Sequence, residues 1–337
     1  DISTTPGTLK SIKYPMAGQK SEYGKVGVYD RVLKTTGYLK TFGEKDAYLT
    51  NLTWAPNEKR IYLAEVNRAQ NYMSLNEYEV SNYVYLRTIL GEKSDKWVEP
   101  EYPGFFTGKD SRDMIWMSEK TGYMNLSIIQ LKYKFSNDLS RFKFPLTDFL
   151  GVSDDGKWAF AEGTGYDGRE NHVFKFKVSS GQLVQLTGTK GTHHAQISSS
   201  GNYIIDTYSN TTTPKVIQII DTRSLQKTVL KRAENPLQNY TLAQMELGEL
   251  TAKSGEKLYT RMIKPANFNP SKKYPVLVYV YGGPHAQLVT NSWLGGASLW
   301  MHWMANQGYS VYTLDGRGSA NRGLAFENKI HRQMGKV

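Results

Sequence analysis

The stretch LGVSDDGKWAFAEG, residues 150–163, sets Val152 before a Ser-Asp-Asp-Gly turn and an apolar run from Trp158. An Asp-Gly pair accepts the backbone angles of a tight hairpin, so two antiparallel strands are expected to meet there. The same form recurs in LTWAPNEKRIYLAEV (52–66) from Trp54, in GFFTGKDSRDMIWMSE (104–119) from Phe106 and in AQISSSGNYIIDTYS (195–209) from Ile197. The intervals between these four residues are 52, 46 and 45. Further short runs follow inside the units, as in NHVFKFKV (171–178) and KVIQIID (215–221). A period near 45 with about four strands per unit describes a β-propeller blade, a sheet that buries its faces only against its neighbours. About four or five such units fit residues 1–240, a partial propeller. A β-sandwich whose hairpins resemble one another by accident is the competing reading, and it leaves the spacing without a cause.

Near residue 240 the texture changes. YPVLVYVYGGPHAQ (274–287) begins as a continuous apolar strand, the pattern of burial on both faces. LWMHWMANQ (299–307) follows, with Leu299 and Trp303, and Trp300 and Met304, one helical turn apart. YSVYTLDGRG (309–318) is a second buried strand. Strand, helix, strand predicts a βαβ unit on a parallel sheet. We therefore expect two domains: propeller blades over 1–240, and an α/β domain over 241–337, which the loop and the resemblance described below read as the N-terminal part of an α/β-hydrolase domain.

Composition narrows the classes. Of 337 residues, 39% are hydrophobic and 23 are Tyr, enough for sizeable cores. No run of eighteen apolar residues exists, so no membrane span is expected. The first residues, DISTTPGTLKSIKYP, lack the basic and apolar regions of a signal peptide. There is no Cys, which excludes disulfides and thiolate metal sites. The net charge is +11, but the lysines are scattered and no nucleic-acid-binding motif appears, so solvated lysines and no nucleic-acid partner are the expectation. Four N-x-S/T sequons, at Asn51, Asn125, Asn210 and Asn239, are read as chance in a chain rich in these residues.

The chemistry gathers at Tyr281-Gly282-Gly283-Pro284. In α/β-hydrolases the loop after the third strand supplies part of the oxyanion hole. Glycines let the backbone pass close to a substrate, and a Tyr at the strand end aims a phenol that can donate to a developing alkoxide. An ordinary turn with a core Tyr is the plainer alternative. An oxyanion hole needs a nucleophile, yet GYSVY (308–312), GSANR (318–322) and GVSDD (151–155) all fail the G-x-S-x-G pattern. His172, His193, His194, His302 and His331 show no metal-ligand spacing and read as structural or solvated; His285 alone lies near the presumed site. Asp315 precedes any nucleophile elbow in chain order, so it is expected to brace the DGRGS turn rather than to serve as a triad acid.

KKYPVLVYVYGGPHAQLV (272–289) and GYSVYTLDGRGSANRGLAFENKIHRQMG (308–335) resemble the prolyl oligopeptidase superfamily, and the D-G-R-G-S-x-x-x-G run from Asp315 to Gly323 resembles its dipeptidyl peptidase IV branch, which includes the bacterial prolyl tripeptidyl peptidases. KYPMAGQKSEYGKVGVYD (13–30), DAYLTNLTWAPNEKRIYLAEVNRAQNYMSL (46–75) and TGYMNLSII (121–129) are similar to that branch's propeller strings. The resemblance implies an eight-bladed propeller covering an α/β-hydrolase. It implies a serine exopeptidase that releases di- or tripeptides after Pro, or Ala, from a peptide with a free N-terminus, without a cofactor or metal. Tyr281 matches the family's oxyanion Tyr. The G-W-S-Y-G-G elbow is expected beyond Val337, and the paired amine-binding glutamates upstream of residue 1. On this reading the chain alone is inactive. The resemblance leaves a homodimeric parent open and favours a bacterial envelope or periplasm over the cytoplasm. The alternative is a non-catalytic propeller module that binds peptides or proteins.

Overall fold

The computed structural model describes residues 3–107 and 112–337. Part of the predicted turn after Phe106, residues 108–111, lies outside them. A two-stranded ribbon, β1 (Gly27–Asp30) and β2 (Thr35–Tyr38), is followed by four antiparallel sheets of four strands. These are β3 (Tyr48–Trp54), β4 (Arg60–Val66), β5 (Tyr72–Glu79) and β6 (Tyr85–Lys93); then β7 (Phe105–Phe106), β8 (Asp113–Ser118), β9 (Asn125–Gln130) and β10 (Phe135–Asp138). Next come β11 (Leu146–Val152), β12 (Trp158–Gly163), β13 (His172–Lys177) and β14 (Leu183–Gln185), and last β15 (Thr192–Ile197), β16 (Tyr203–Ser209), β17 (Val216–Asp221) and β18 (Lys227–Arg232). Each sheet is a simple meander in chain order. Trp54, Phe106, Val152 and Ile197 each end the first strand of their sheet, paired with Ile61, Met114, Ala159 and Ile204 of the second. The repeat read from sequence is thus a repeat of structure.

The second strand of each of these units explains why the units need one another. Along β4, Ile61 and Leu63 pack toward the β1–β2 ribbon, whereas Tyr62 and Ala64 pack toward Met114 and Trp116 of β8. Along β8 the neighbours Ile115 and Met117 turn the other way, against Phe149, Ala159 and Ala161. Along β12, Phe160 then faces Ile204 and Ile220 of the last sheet. A strand sends successive side chains to opposite faces, so a sheet clamped between two others must be apolar at nearly every position. The interior strands β4, β8 and β12 are accordingly buried on both faces, whereas β16 of the last sheet alternates, with Tyr203 and Ile205 exposed.

After Arg232 the chain forms a mixed sheet of β19 (Met245–Thr251), β20 (Lys257–Ile263), β21 (Val276–Tyr279) and β22 (Ser310–Leu314), in the order β19-β20-β22-β21. The helix α1 (Leu299–Asn306) links β21 to β22, which run parallel, so the βαβ unit is present. Two details differ from expectation. β21 is not buried on both faces; it is the outer strand, with Val276 and Val278 58% and 60% exposed. On α1, of the four residues read at helical spacing only Met304 packs on the core. Met301, His302 and Ala305 are buried, while Leu299, Trp300 and Trp303 face outward. Both follow from position: β21 has one strand neighbour, so its second edge and much of its faces meet solvent. No helix among the described residues is long and apolar enough to cross a membrane.

The mixed sheet docks on the propeller through polar backbone contacts. Asn291 N–H donates to the Arg169 carbonyl (2.7 Å), Gln287 Nε2 to the Gly168 carbonyl (2.6 Å) and Leu324 N–H to the Gly122 carbonyl (3.0 Å). Arg169 and Arg322 both stack on the Tyr259 ring, 4.8 and 4.3 Å from its centroid.

Candidate active site at the junction of the two units

Tyr281 leaves the C-terminal end of β21, where open α/β sheets bind ligands. Its side chain is 64% exposed, and among the described residues its hydroxyl has no hydrogen-bond partner. That is not the environment of a core Tyr. Gly282 takes φ +75°, which an L side chain rarely adopts. A Cβ at Gly283 would lie 2.6 Å from the Tyr281 ring, which folds back over it, so a side chain there would push that ring aside.

The turn is anchored from behind by the DGRGS segment. Asp315, buried, accepts hydrogen bonds from the Leu288 and Val289 N–H groups, both at 2.9 Å. Burial raises its carboxyl above the usual carboxylate range, against those two bonds and the positive field of Arg261. Arg261, also buried, donates to the Leu288 and Gly295 carbonyls, both at 2.6 Å, and to Thr313 Oγ1 at 3.1 Å. Asp315 therefore braces the loop after Tyr281 and does not point at a reacting group.

His285 faces the propeller. Its Nε2 lies 3.1 Å from Glu99, and its Nδ1 lies 3.8 Å from Glu101 and 3.9 Å from Glu327. The hydrogen bond to Glu99, reinforced by the charges of Glu99, Glu327 and Glu101, raises the imidazole to about 9. Burial pushes Glu119 up to about 8, helped by the charges of Glu327, Glu101 and Glu99. Burial likewise pushes Glu327 up to about 7. A cavity of about 310 Å³ opens beside this cluster, lined by Trp97, Glu99, Trp116, Glu119, Lys120 and Leu324 among others. A second, of about 300 Å³, lies between Asp148, Glu162 and His194 of the propeller and Gln287 and Asn321 of the mixed sheet.

The chain matches known proteins over most of its length. A family model described as the dipeptidyl peptidase IV N-terminal region matches residues 4–215. The chain belongs to the dipeptidyl peptidase IV family. Mouse dipeptidyl peptidase 8 is 30% identical over 86% of this chain and 39% of its own length. A crystal structure from Bacteroides ovatus assigned as a dipeptidyl aminopeptidase IV superposes with a TM-score of 0.89 at 35% identity, covering 98% of this chain and 50% of that one. Porphyromonas gingivalis dipeptidyl peptidase 4 shares the fold, with a TM-score of 0.83 at 24% identity over 94% of this chain and 45% of that one. The chain thus spans half or less of the length of these members of the dipeptidyl peptidase IV family.

Within this dipeptidyl peptidase IV fold the other histidines serve the framework. His193 is fully buried, with Nδ1 on Asp206 (2.9 Å) and Nε2 on the Thr189 carbonyl (2.8 Å). His172 opens β13, is buried, and pairs with Glu170 (2.9 Å). His194 stands exposed on Glu162 (3.0 Å), and His302 is buried on α1. His331 stacks edge-on to Trp97. The sequence reading missed Glu99, Glu101, Glu119 and Glu327. Only the Glu-Pro-Glu spacing at 99–101, two carboxyls on one side of an extended segment, could have flagged them.

Proposed function

We infer that this chain is part of a serine exopeptidase of the dipeptidyl peptidase IV type, which releases N-terminal di- or tripeptides after Pro, or Ala, through an acyl-enzyme. The observation that carries the reading is the free Tyr281 hydroxyl on a glycine turn at the C-terminal end of β21, in a chain of that family. A phenol there donates a hydrogen bond to the oxyanion of the tetrahedral intermediate and has no such charge to meet in the ground state. The one Ser/Thr hydroxyl bonded to a His ring among the described residues, Thr187 on His172, is fully buried and cannot attack a peptide. The exposed apolar edge of β21 supports further parallel strands, with the Ser-Asp-His triad, packing beside it.

Two measurements test this. The 337-residue chain is expected to release no chromophore from Gly-Pro or Ala-Ala-Pro substrates beyond a buffer control. In a polypeptide that also carries the nucleophile, Tyr281→Phe is expected to lower kcat on the order of a hundred- to a thousandfold with KM nearly unchanged. A kcat within about threefold of wild type would make Tyr281 structural.

A further inference from the structure

Residues 281–285 have little to hold them. Gly282 and Gly283 make no backbone hydrogen bond among the described residues, and a Cβ at Gly282 would touch nothing within 4 Å. The first fixed point after Tyr281 is His285. Its N–H donates to the Gly318 carbonyl at 3.0 Å, which ties the turn to the DGRGS segment. Its backbone sits at φ 59°, a conformation that costs a non-glycine residue roughly 1–3 kcal/mol and persists only where surrounding contacts enforce it. Around the imidazole stand the carboxylates of Glu99 and Glu101 from the propeller and of Glu327 from the mixed-sheet unit, the last two 3.8 and 3.9 Å from Nδ1. Glu99 is within hydrogen-bond distance through both oxygens, at 3.1 and 3.2 Å.

We propose that His285 is a positioning residue through which the propeller sets the oxyanion turn: Glu99 and Glu101 hold the imidazole, and the imidazole holds Tyr281. The proposal rests on the proposed function for its catalytic consequence but not for its structural one. Separation of the propeller from the mixed sheet would take Glu99 and Glu101 from the imidazole and leave the turn with the His285 N–H bond to Gly318 and the more distant Glu327, so the Tyr281 hydroxyl is best aimed when the two units are docked. The imidazole stays protonated near neutral pH because Glu99 accepts its proton-bearing nitrogen, so the clamp is a charge-assisted hydrogen bond, about twice as strong as a neutral one.

The test uses Glu99→Gln and His285→Gln, with His331→Gln as a control from the same junction but outside the turn. Amide hydrogen exchange at position 285, whose N–H is bonded to the Gly318 carbonyl, is expected in the intact chain to rise about tenfold in the first two and to stay unchanged in the control. Glu99→Gln changes no atom of the turn, so faster exchange in that variant would show the clamp acting from the propeller. Unchanged exchange in both variants, or an equal rise in His331→Gln, would overturn the proposal. In a polypeptide carrying the nucleophile, Glu99→Gln is expected to lower kcat about tenfold with KM unchanged, and Glu99→Gln on a Tyr281→Phe background to add little. A rise in KM alone would also overturn it. If the wild-type polypeptide cleaves no peptide, the proposed function fails, and the exchange rates still decide whether His285 holds the turn.

Discussion

Asp315 shows how a residue that looks catalytic is recognised as a brace. It sits in an acidic, glycine-rich turn beside a strand end, which invites a triad reading, but both of its oxygens accept backbone N–H groups. Asp315→Ala would leave the half-buried Leu288 donor and the buried Val289 donor unmet, and an unmet buried donor costs roughly 1–3 kcal/mol. We expect a loss of about 2–5 kcal/mol in chemical denaturation, and Asp315→Asn, which keeps one acceptor, to lose less. A loss under about 0.5 kcal/mol in the Ala variant would show the bonds to be dispensable. The turn at Tyr281 was legible because its signal is local: strand, Tyr, two glycines and Pro follow one another in the chain. Glu99 and Glu327 were not, because they meet His285 across 186 and 42 positions of sequence, and nothing in their own neighbours announces the meeting.

At the level of elements, two sheet edges meet water in different ways. β18, the outer strand of the last propeller sheet, reads KTVLKR, fully exposed, with three cations that discourage pairing by another chain. β21 is also an outer strand, but it reads VLVY and has no charge. An uncharged apolar edge is a template for strand addition, so the chain alone is expected to self-associate through β21. Val278→Lys should reduce the apparent mass in light scattering at equal protein concentration and leave the melting temperature within a few degrees, since Val278 is 60% exposed. Unchanged self-association would place it on another surface. The interior strands behave oppositely. Trp116 on β8 is 1% exposed and packs against Tyr62 and Met114, so Trp116→Ala should cost about 3–5 kcal/mol in chemical denaturation. These contrasts also show why the strands were legible while their exposure was not. Apolar runs reveal a strand, but identical runs serve β8, clamped between sheets, and β21, standing at an edge. Which one is buried depends on neighbours that the run itself does not encode.

For the whole molecule, the junction between propeller and mixed sheet joins groups that bind protons more tightly when docked. Glu119, raised by burial to about 8, Glu327, raised by burial to about 7, and His285, raised to about 9 by its bond to Glu99, all lie above their ordinary values near 4.5, 4.5 and 6.5. Glu99 and Glu101 face them from the propeller, and Lys96 reaches the Asn328 carbonyl at 3.1 Å beside them. A group whose folded pKa is raised contributes stability that is complete below its unfolded value and disappears as pH climbs through the folded value. The two carboxyls therefore lose their contribution between about pH 4.5 and 8, and the imidazole between about 6.5 and 9. The three act in the same direction and outnumber His302, whose imidazole is held by burial below its ordinary value near 6.5 and which adds stability as pH climbs toward that value, so stability should fall from pH 5.5 to 9. While a group is protonated in the folded state and not in the unfolded one, its share of the slope approaches about 1.4 kcal/mol per pH unit. Carboxyls with lowered pKa, such as Asp167 and Glu170 at the same junction, change only below their ordinary values and do not oppose this trend. Calorimetry at pH 5.5, 7 and 8.5 should show the melting temperature dropping at each step. Glu119→Gln cannot ionise, so it should melt higher than wild type at pH 8.5 and nearer to it at pH 5.5. A flat wild-type profile over that range, or a Glu119→Gln profile parallel to it, would mean that Glu119 does not take up a proton on docking.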